Sequence, residues 1–362
     1  MPPEPAPSAE PRTAVSRMQP YEWEPPSASI ARQAGVPEDQ VVRFDTNTFP
    51  WPGATLDQLP PQPLNEYPDT SYRDLTDAIA QYTDVPPDRI TVGAGADEVL
   101  DMIAKAYIDG SRGVLLSRPT YPMFRILSGM AGGMLDEVPA IDLRLDRATF
   151  LERARRADLT WICNPNNPTG ELLPLSFVEE VASVAGGVLA VDEAYVETSG
   201  VTAVPLIDRM ANLVVIRTLS KAFGLAGVRV GYALAGPAIS AVLRRVRPPG
   251  SIGVVSAALG AQALRDLLGM RQRVQQVVEE RARLQRELAS AGLEVRDSAA
   301  NFLLARTGRQ VAPRLLEQGL VVRTFPPTSP LADYIRITVR RPEENARLLM
   351  ALKAALSPTG SP

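Results

Sequence analysis

Chemistry in this chain has few nitrogen bases to draw on. There is no histidine, and lysine occurs only at Lys105, Lys221 and Lys353, so 35 of the 38 basic residues are arginine. A Ser-His-Asp triad, a His-bound zinc and a histidine general base are therefore excluded. Lys221 has the most suggestive setting. It closes Arg217-Thr218-Leu219-Ser220-Lys221 after the apolar run 213–216, and a Gly-rich stretch, Ala222-Phe223-Gly224-Leu225-Ala226-Gly227-Val228-Arg229, follows. A lysine just past a strand end can meet a ligand carbonyl. Schiff-base chemistry needs the neutral amine, which desolvation or a neighbouring cation favours. Most lysines are solvated surface charges, but the small and apolar neighbours of Lys221 argue against that reading.

Three further segments could serve the same chemistry. Asp192-Glu193-Ala194-Tyr195 closes the apolar run 188–191. A carboxylate at a buried strand end needs a partner. A protonated pyridine nitrogen is such a partner, and Tyr195 could donate to an oxygen on the same ring. Taken alone, an Asp-Glu pair suits metal ligation or a helix cap equally well. Asn164-Pro165-Asn166-Asn167-Pro168-Thr169-Gly170 makes a rigid turn that holds Asn side chains in fixed positions. It could also be a turn and nothing more. Gly93-Ala94-Gly95-Ala96-Asp97-Glu98 lies between a strand and a helix, where exposed N–H groups cradle phosphate. No Gly-Lys-Ser/Thr follows, so it is not a P-loop.

The elements needed to position these segments are legible. Short apolar runs at 90–92, 113–116, 159–163, 188–191, 213–217 and 228–234 alternate with helical patterns at 97–108, 175–184 and 237–246; another helix starts after Ser71. This alternation predicts an α/β fold with a mostly parallel central sheet covered on both faces. In such sheets ligands bind beyond the carboxyl ends of the strands, where the segments above fall. After about 253 a long helical stretch leads into short strands near 293–295, 302–305, 320–323 and 334–339, with helices near 312–317 and 343–356. The expected division is a disordered arm at 1–18, a segment at 19–48 packing with the small domain, a large domain at 49–252 and a small α+β domain at 253–362. Residues 47–68, rich in proline, read as an extended connection.

Bulk properties fit a globular enzyme: 362 residues, 45% hydrophobic, 22% charged, with a formal charge of −3. Nothing favours a nucleic-acid or anionic-membrane partner. No run of 18 or more apolar residues or signal-peptide pattern occurs, and Cys163 is the lone cysteine, so a cytoplasmic protein without a metal site is expected.

From Tyr21 onward the chain resembles the fold-type I aminotransferases of class I/II, and within them the histidinol-phosphate aminotransferase branch. The resemblance rests on the Asn-Pro-Asn-Asn-Pro-Thr-Gly turn, Val191-Asp192-Glu193-Ala194-Tyr195, Thr218-Leu219-Ser220-Lys221 and Arg229-Val230-Gly231-Tyr232, in family order. It implies a pyridoxal 5'-phosphate enzyme working by a ping-pong route. Lys221 would bond the cofactor and then shuttle the proton, Asp192 would pair with its ring nitrogen, and Asn167 and Tyr195 would hydrogen-bond its ring oxygen. Ala96, Asp97, Thr218 and Arg229 would hold its phosphate, and Tyr121 would stack on the ring. Tyr67 would reach the phosphate of a neighbouring subunit, which implies a homodimer. Arg336 would clamp a substrate carboxylate, with Arg323 as a second anion contact and Asn47 on the substrate side. The implied reaction is L-histidinol phosphate plus 2-oxoglutarate giving imidazole-acetol phosphate plus glutamate. Three departures touch the substrate side. Arg340 stands where the family usually has Gly, Gly250-Ser251-Ile252-Gly253 replaces an Asn-rich segment, and Phe44-Asp45-Thr46-Asn47 replaces Leu-Asn-Glu-Asn. An aromatic or other biosynthetic aminotransferase, or a decarboxylase or lyase of the same fold, therefore stays open.

Overall fold

A computed structural model describes residues 11–16, 24–55 and 64–356. Its first strand, β1 (Val42–Phe44), belongs to the smaller part of the molecule. The main sheet comprises β2 (Ile90–Gly93), β3 (Gly113–Arg118), β4 (Met134–Pro139), β5 (Leu159–Cys163), β6 (Val188–Asp192), β7 (Leu213–Thr218) and β8 (Gly231–Ala235). Their order across the sheet is β2-β8-β7-β6-β5-β3-β4. Only β8 runs against its neighbours.

Continuous apolar runs form the central strands because both faces are covered. In β6, Leu189 and Val191 enter one core, while Val188 and Ala190 enter the core on the opposite face. The edge strand β4 was not anticipated: Met134-Leu135-Asp136-Glu137-Val138-Pro139 carries two acids and buries only Val138. The strand expected at 228–234 starts later. Arg229 adopts a left-handed backbone with φ 55°, which interrupts the extended chain, and Ala226–Val228 forms a 3-10 turn.

The smaller part holds β9 (Glu294–Arg296), β10 (Phe302–Arg306), β11 (Leu320–Val322) and β12 (Tyr334–Thr338). The antiparallel order is β12-β10-β9, and β1 pairs in parallel with β11. The long helix Leu267–Ser290 reaches from one part to the other. The boundary expected at 253 does not coincide with the edge of the large core. Helix Val254–Arg265 lies on helix Arg73–Thr83, and a Cβ on Gly260 would stand 3.2 Å from Leu75 and 3.3 Å from Leu219. Ala261, Leu264 and Val277 bury in the same core as Val191.

The expected disorder of the first residues needs a correction where they are described. Thr13–Ser16 form one helical turn, and Arg12 Nη2 donates to the Met130 carbonyl at 2.9 Å. Residues 1–10, 17–23 and 56–63 lie outside the described residues.

Candidate active site

Topology gathers the chemistry at one edge of the sheet. Asp192 and Thr218 are the last residues of β6 and β7, the Asn-rich turn follows β5, Tyr121 follows β3, and Ala96 follows β2. Because β8 is reversed, its start lies at that same edge, and Arg229 sits just before it. These residues line a cavity of about 730 Å³ together with Lys221, Tyr195, Asn47, Arg323 and Arg336. Twelve of the thirteen sequence-predicted residues therefore converge. Tyr67 does not: it is 97% exposed and outside the cavity.

At one end lies an anion cup. Helix Ala96–Tyr107 begins after Gly95, whose φ of +84° suits glycine. The first amides of this helix have no acceptor within it and point along its positive end. Gly231 permits the close approach, since a Cβ there would fall 2.4 Å from the Ala96 nitrogen. Thr218 Oγ1 donates to Ser220 Oγ at 2.9 Å, and Arg229 reaches the same hydroxyl at 3.5 Å. Asp97 ties the cup together: it accepts from Tyr121 Oη at 2.8 Å and from Arg229 Nη2 at 3.2 Å.

The centre holds a buried acid and a half-buried amine. Asp192 is 3% exposed; one oxygen accepts from the Ala194 amide at 3.0 Å. Burial raises its pKa to about 7. Lys221 Nζ lies 5.6 Å from the Tyr195 ring centroid and makes no hydrogen bond among the described residues. Burial, then the nearby Arg336 guanidinium, lowers its pKa to about 8. Burial likewise raises the Tyr195 phenol above its ordinary value, so it stays protonated. Asn47 fixes that phenol by donating to it at 3.1 Å. Asn47 is itself held at φ 52°, with its amide on Thr338 Oγ1 at 2.9 Å.

At the other end, Arg336 Nη1 donates to Asn167 Oδ1 at 2.8 Å and Nη2 to the Asp45 carbonyl at 2.6 Å. This sets the Asn167 amide so that its NH₂ is left to donate. Arg323 lies at the cavity margin, where Glu24 engages it at 2.8 Å. Glu24 and Ser220 were not singled out from sequence. Ser220 could have been, as the residue before Lys221. Glu24 carries no local signal, because 299 residues separate it from Arg323.

Residues 43–352 match the profile of aminotransferase class I and II. The chain belongs to this family. A histidinol-phosphate aminotransferase of Caldanaerobacter subterraneus subsp. tengcongensis is 38% identical over 303 residues, covering 81% of this chain and 85% of the relative. One of Roseiflexus castenholzii is 33% identical over 361 residues, covering 94% and 97%. A crystal structure of the Sinorhizobium meliloti histidinol-phosphate aminotransferase, in complex with pyridoxal-5'-phosphate, aligns with TM-score 0.85 at 26% identity, covering 97% of this chain and 98% of that one. This aminotransferase has the type I fold and depends on pyridoxal phosphate. Its donor set fits that group: an anion cup, a buried carboxylate, an amine, and an amide and a phenol free to donate surround one cavity.

Proposed function

We propose that this aminotransferase moves an amino group from L-histidinol phosphate to 2-oxoglutarate, with Lys221 as the cofactor's covalent anchor and proton carrier. The observation that carries the reading is the half-buried amine of Lys221, with Asp192, Asn167 and Tyr195 lining the same cavity. The named relatives support histidinol phosphate as the amino donor.

Bound pyridoxal phosphate supplies an electron sink for the charge left when a proton leaves the substrate carbon. Lys221 Nζ takes and returns that proton, since no imidazole exists to compete. Asp192 accepts the ring N–H, a partner that offsets the burial of its carboxylate. Asn167 donates through Nδ2 and Tyr195 through its hydroxyl to the ring oxygen, Tyr195 held by Asn47. Tyr121 packs beside the ring while its hydroxyl is held on Asp97. The amides of Ala96 and Asp97, the Thr218 and Ser220 hydroxyls and Arg229 receive the phosphate. Arg336 and Arg323 meet the substrate's anionic group, a carboxylate or phosphate.

The test is a donor screen of the holoenzyme with 2-oxoglutarate. Histidinol phosphate should exceed phenylalanine and tyrosine in kcat/KM by at least about tenfold, about 1.4 kcal/mol of transition-state binding. A preference for an aromatic amino acid, or release of carbon dioxide instead of keto product, overturns the substrate assignment. The same reading includes a homodimer in the cytoplasm. Leu64 and Tyr67, exposed at 74% and 97%, suit burial by a second copy.

A further inference from the structure

Behind the cavity, on the far side of the sheet's edge, lies a buried cluster that lines no part of the cavity. Glu193 follows Asp192, and Arg217 precedes Thr218. Side chains alternate along a strand, so these two point away from the cavity that their neighbours line. Both are buried, and neither borders the cavity.

Their hydrogen bonds are extensive. Arg217 Nε donates to Glu193 Oε2 at 3.1 Å, and Arg217 Nη2 donates to Thr202 Oγ1 at 2.7 Å. Thr202 Oγ1 donates to Glu193 Oε2 at 2.8 Å, and the Ala203 amide donates to Glu193 Oε1 at 2.5 Å. The Glu193 amide itself donates to Ile216 O at 2.8 Å. Tyr82 donates to Glu197 at 3.1 Å, Tyr232 bonds Arg217, and Tyr82 packs edge-on against Phe223, two residues past Lys221. The cluster therefore spans β6, β7, β8, the 202–203 loop and helix Arg73–Thr83. It holds two acids, Glu193 and Glu197, and one cation, Arg217. Burial raises the Glu197 carboxyl to about 7, so the second acid can keep its proton.

A buried ion pair is a poor source of stability; replacing both partners is often neutral, whereas removing one is severe. What this pair does geometrically is tie the end that carries Asp192 to the end that carries Thr218 and Lys221. We propose that Glu193 and Arg217 are positioning residues, which hold the Asp192 carboxylate and the Lys221 amine at the separation that the bound cofactor requires. The proposal rests on the roles given above to Lys221 and Asp192.

The test uses the holoenzyme with Glu193→Gln, Arg217→Lys and the double variant Glu193→Gln/Arg217→Met. Glutamine keeps an acceptor for the Ala203 amide and removes the charge. In all three, kcat should fall about tenfold or more with KM within about twofold, as misplacement of reacting groups predicts. The cofactor's dissociation constant should rise about tenfold, and the pH midpoint of its visible absorbance band should move, whereas in the double variant thermal stability should return toward wild type. A double variant that regains stability together with wild-type kcat, cofactor affinity and pH midpoint overturns the proposal. So do single variants that fold and keep wild-type values for all three. Survival of the wild-type visible band in Lys221→Ala would instead overturn the assignment of Lys221, and this inference with it.

Discussion

Lys221 combines two properties that are hard to have together. Its amine is half-buried among protein atoms, so it is poorly solvated when charged, and Arg336 adds a repulsive cation. Both effects favour the neutral nucleophile. Below pH 8 the reactive fraction falls tenfold per pH unit. The rate at which cofactor-free enzyme captures added pyridoxal phosphate should therefore rise steeply up to about pH 8 and then level. Stopped-flow absorbance between pH 6 and 9.5 measures this, and a flat profile contradicts it. Lys221→Ala should lower transamination by at least about 10³-fold, within the range for loss of a covalent and acid–base group.

Asp192 presents the opposite balance. Its pKa is raised by burial to about 7, so the cofactor-free fold binds a proton that the unfolded chain releases near pH 4. Stability from this group is thus present at low pH and lost as pH rises toward about 7, by up to roughly 4 kcal/mol. Asp192→Asn should make the cofactor-free protein melt higher than wild type at pH 8, with little difference at pH 4, while lowering kcat at least about 10²-fold. Urea unfolding at the two pH values decides it; equal stabilisation at both would show that the carboxylate carries no such penalty.

The element scale explains why the residues meet. Six parallel strands end at the same edge, and the reversed β8 begins there. The anion cup depends on helix Ala96–Tyr107 sitting directly against the start of β8. Gly231→Ala would place a methyl 2.4 Å from the Ala96 nitrogen and the Gly95 carbonyl carbon, so this helix start must shift. Such overpacking typically costs about 1–3 kcal/mol. The cofactor's dissociation constant should rise at least tenfold, and thermal unfolding should move down. An unchanged dissociation constant would mean that the helix start does not set the cup.

At the scale of the whole molecule, the cavity lies between the sheet edge and the small part. Arg336 on β12 bonds Asn167 from the large part, across 169 residues of chain. The proposed cofactor and substrate sites therefore lie where the two parts touch, and ligand should stabilise their union. At a hundredfold excess over the dissociation constant, pyridoxal phosphate should add about 2.7 kcal/mol to unfolding free energy. Tyr67 belongs to this scale too, because it is exposed and lines no part of its own cavity. Light scattering should give twice the chain mass, and Tyr67→Phe should weaken cofactor binding without dissociating the dimer. A monomer with full cofactor affinity removes that role.

Much of this was decided by local chemistry. A lysine after an apolar strand, an acid closing a buried strand and an Asn-Pro turn carry the resemblance that implies the reaction class, and each is legible because it is a short-range pattern. Strands β5, β6 and β7 were readable for the same reason: burial on both faces demands unbroken apolar runs. Strand β4 was not, since an edge strand needs no such run. Only the tertiary structure decided that Glu24 meets Arg323, that Arg336 orients Asn167, and that Arg217 and Glu193 join behind the site. Those contacts link residues far apart in the chain, and no local spacing encodes them. Their geometry exists only once the sheet has brought the strand ends together.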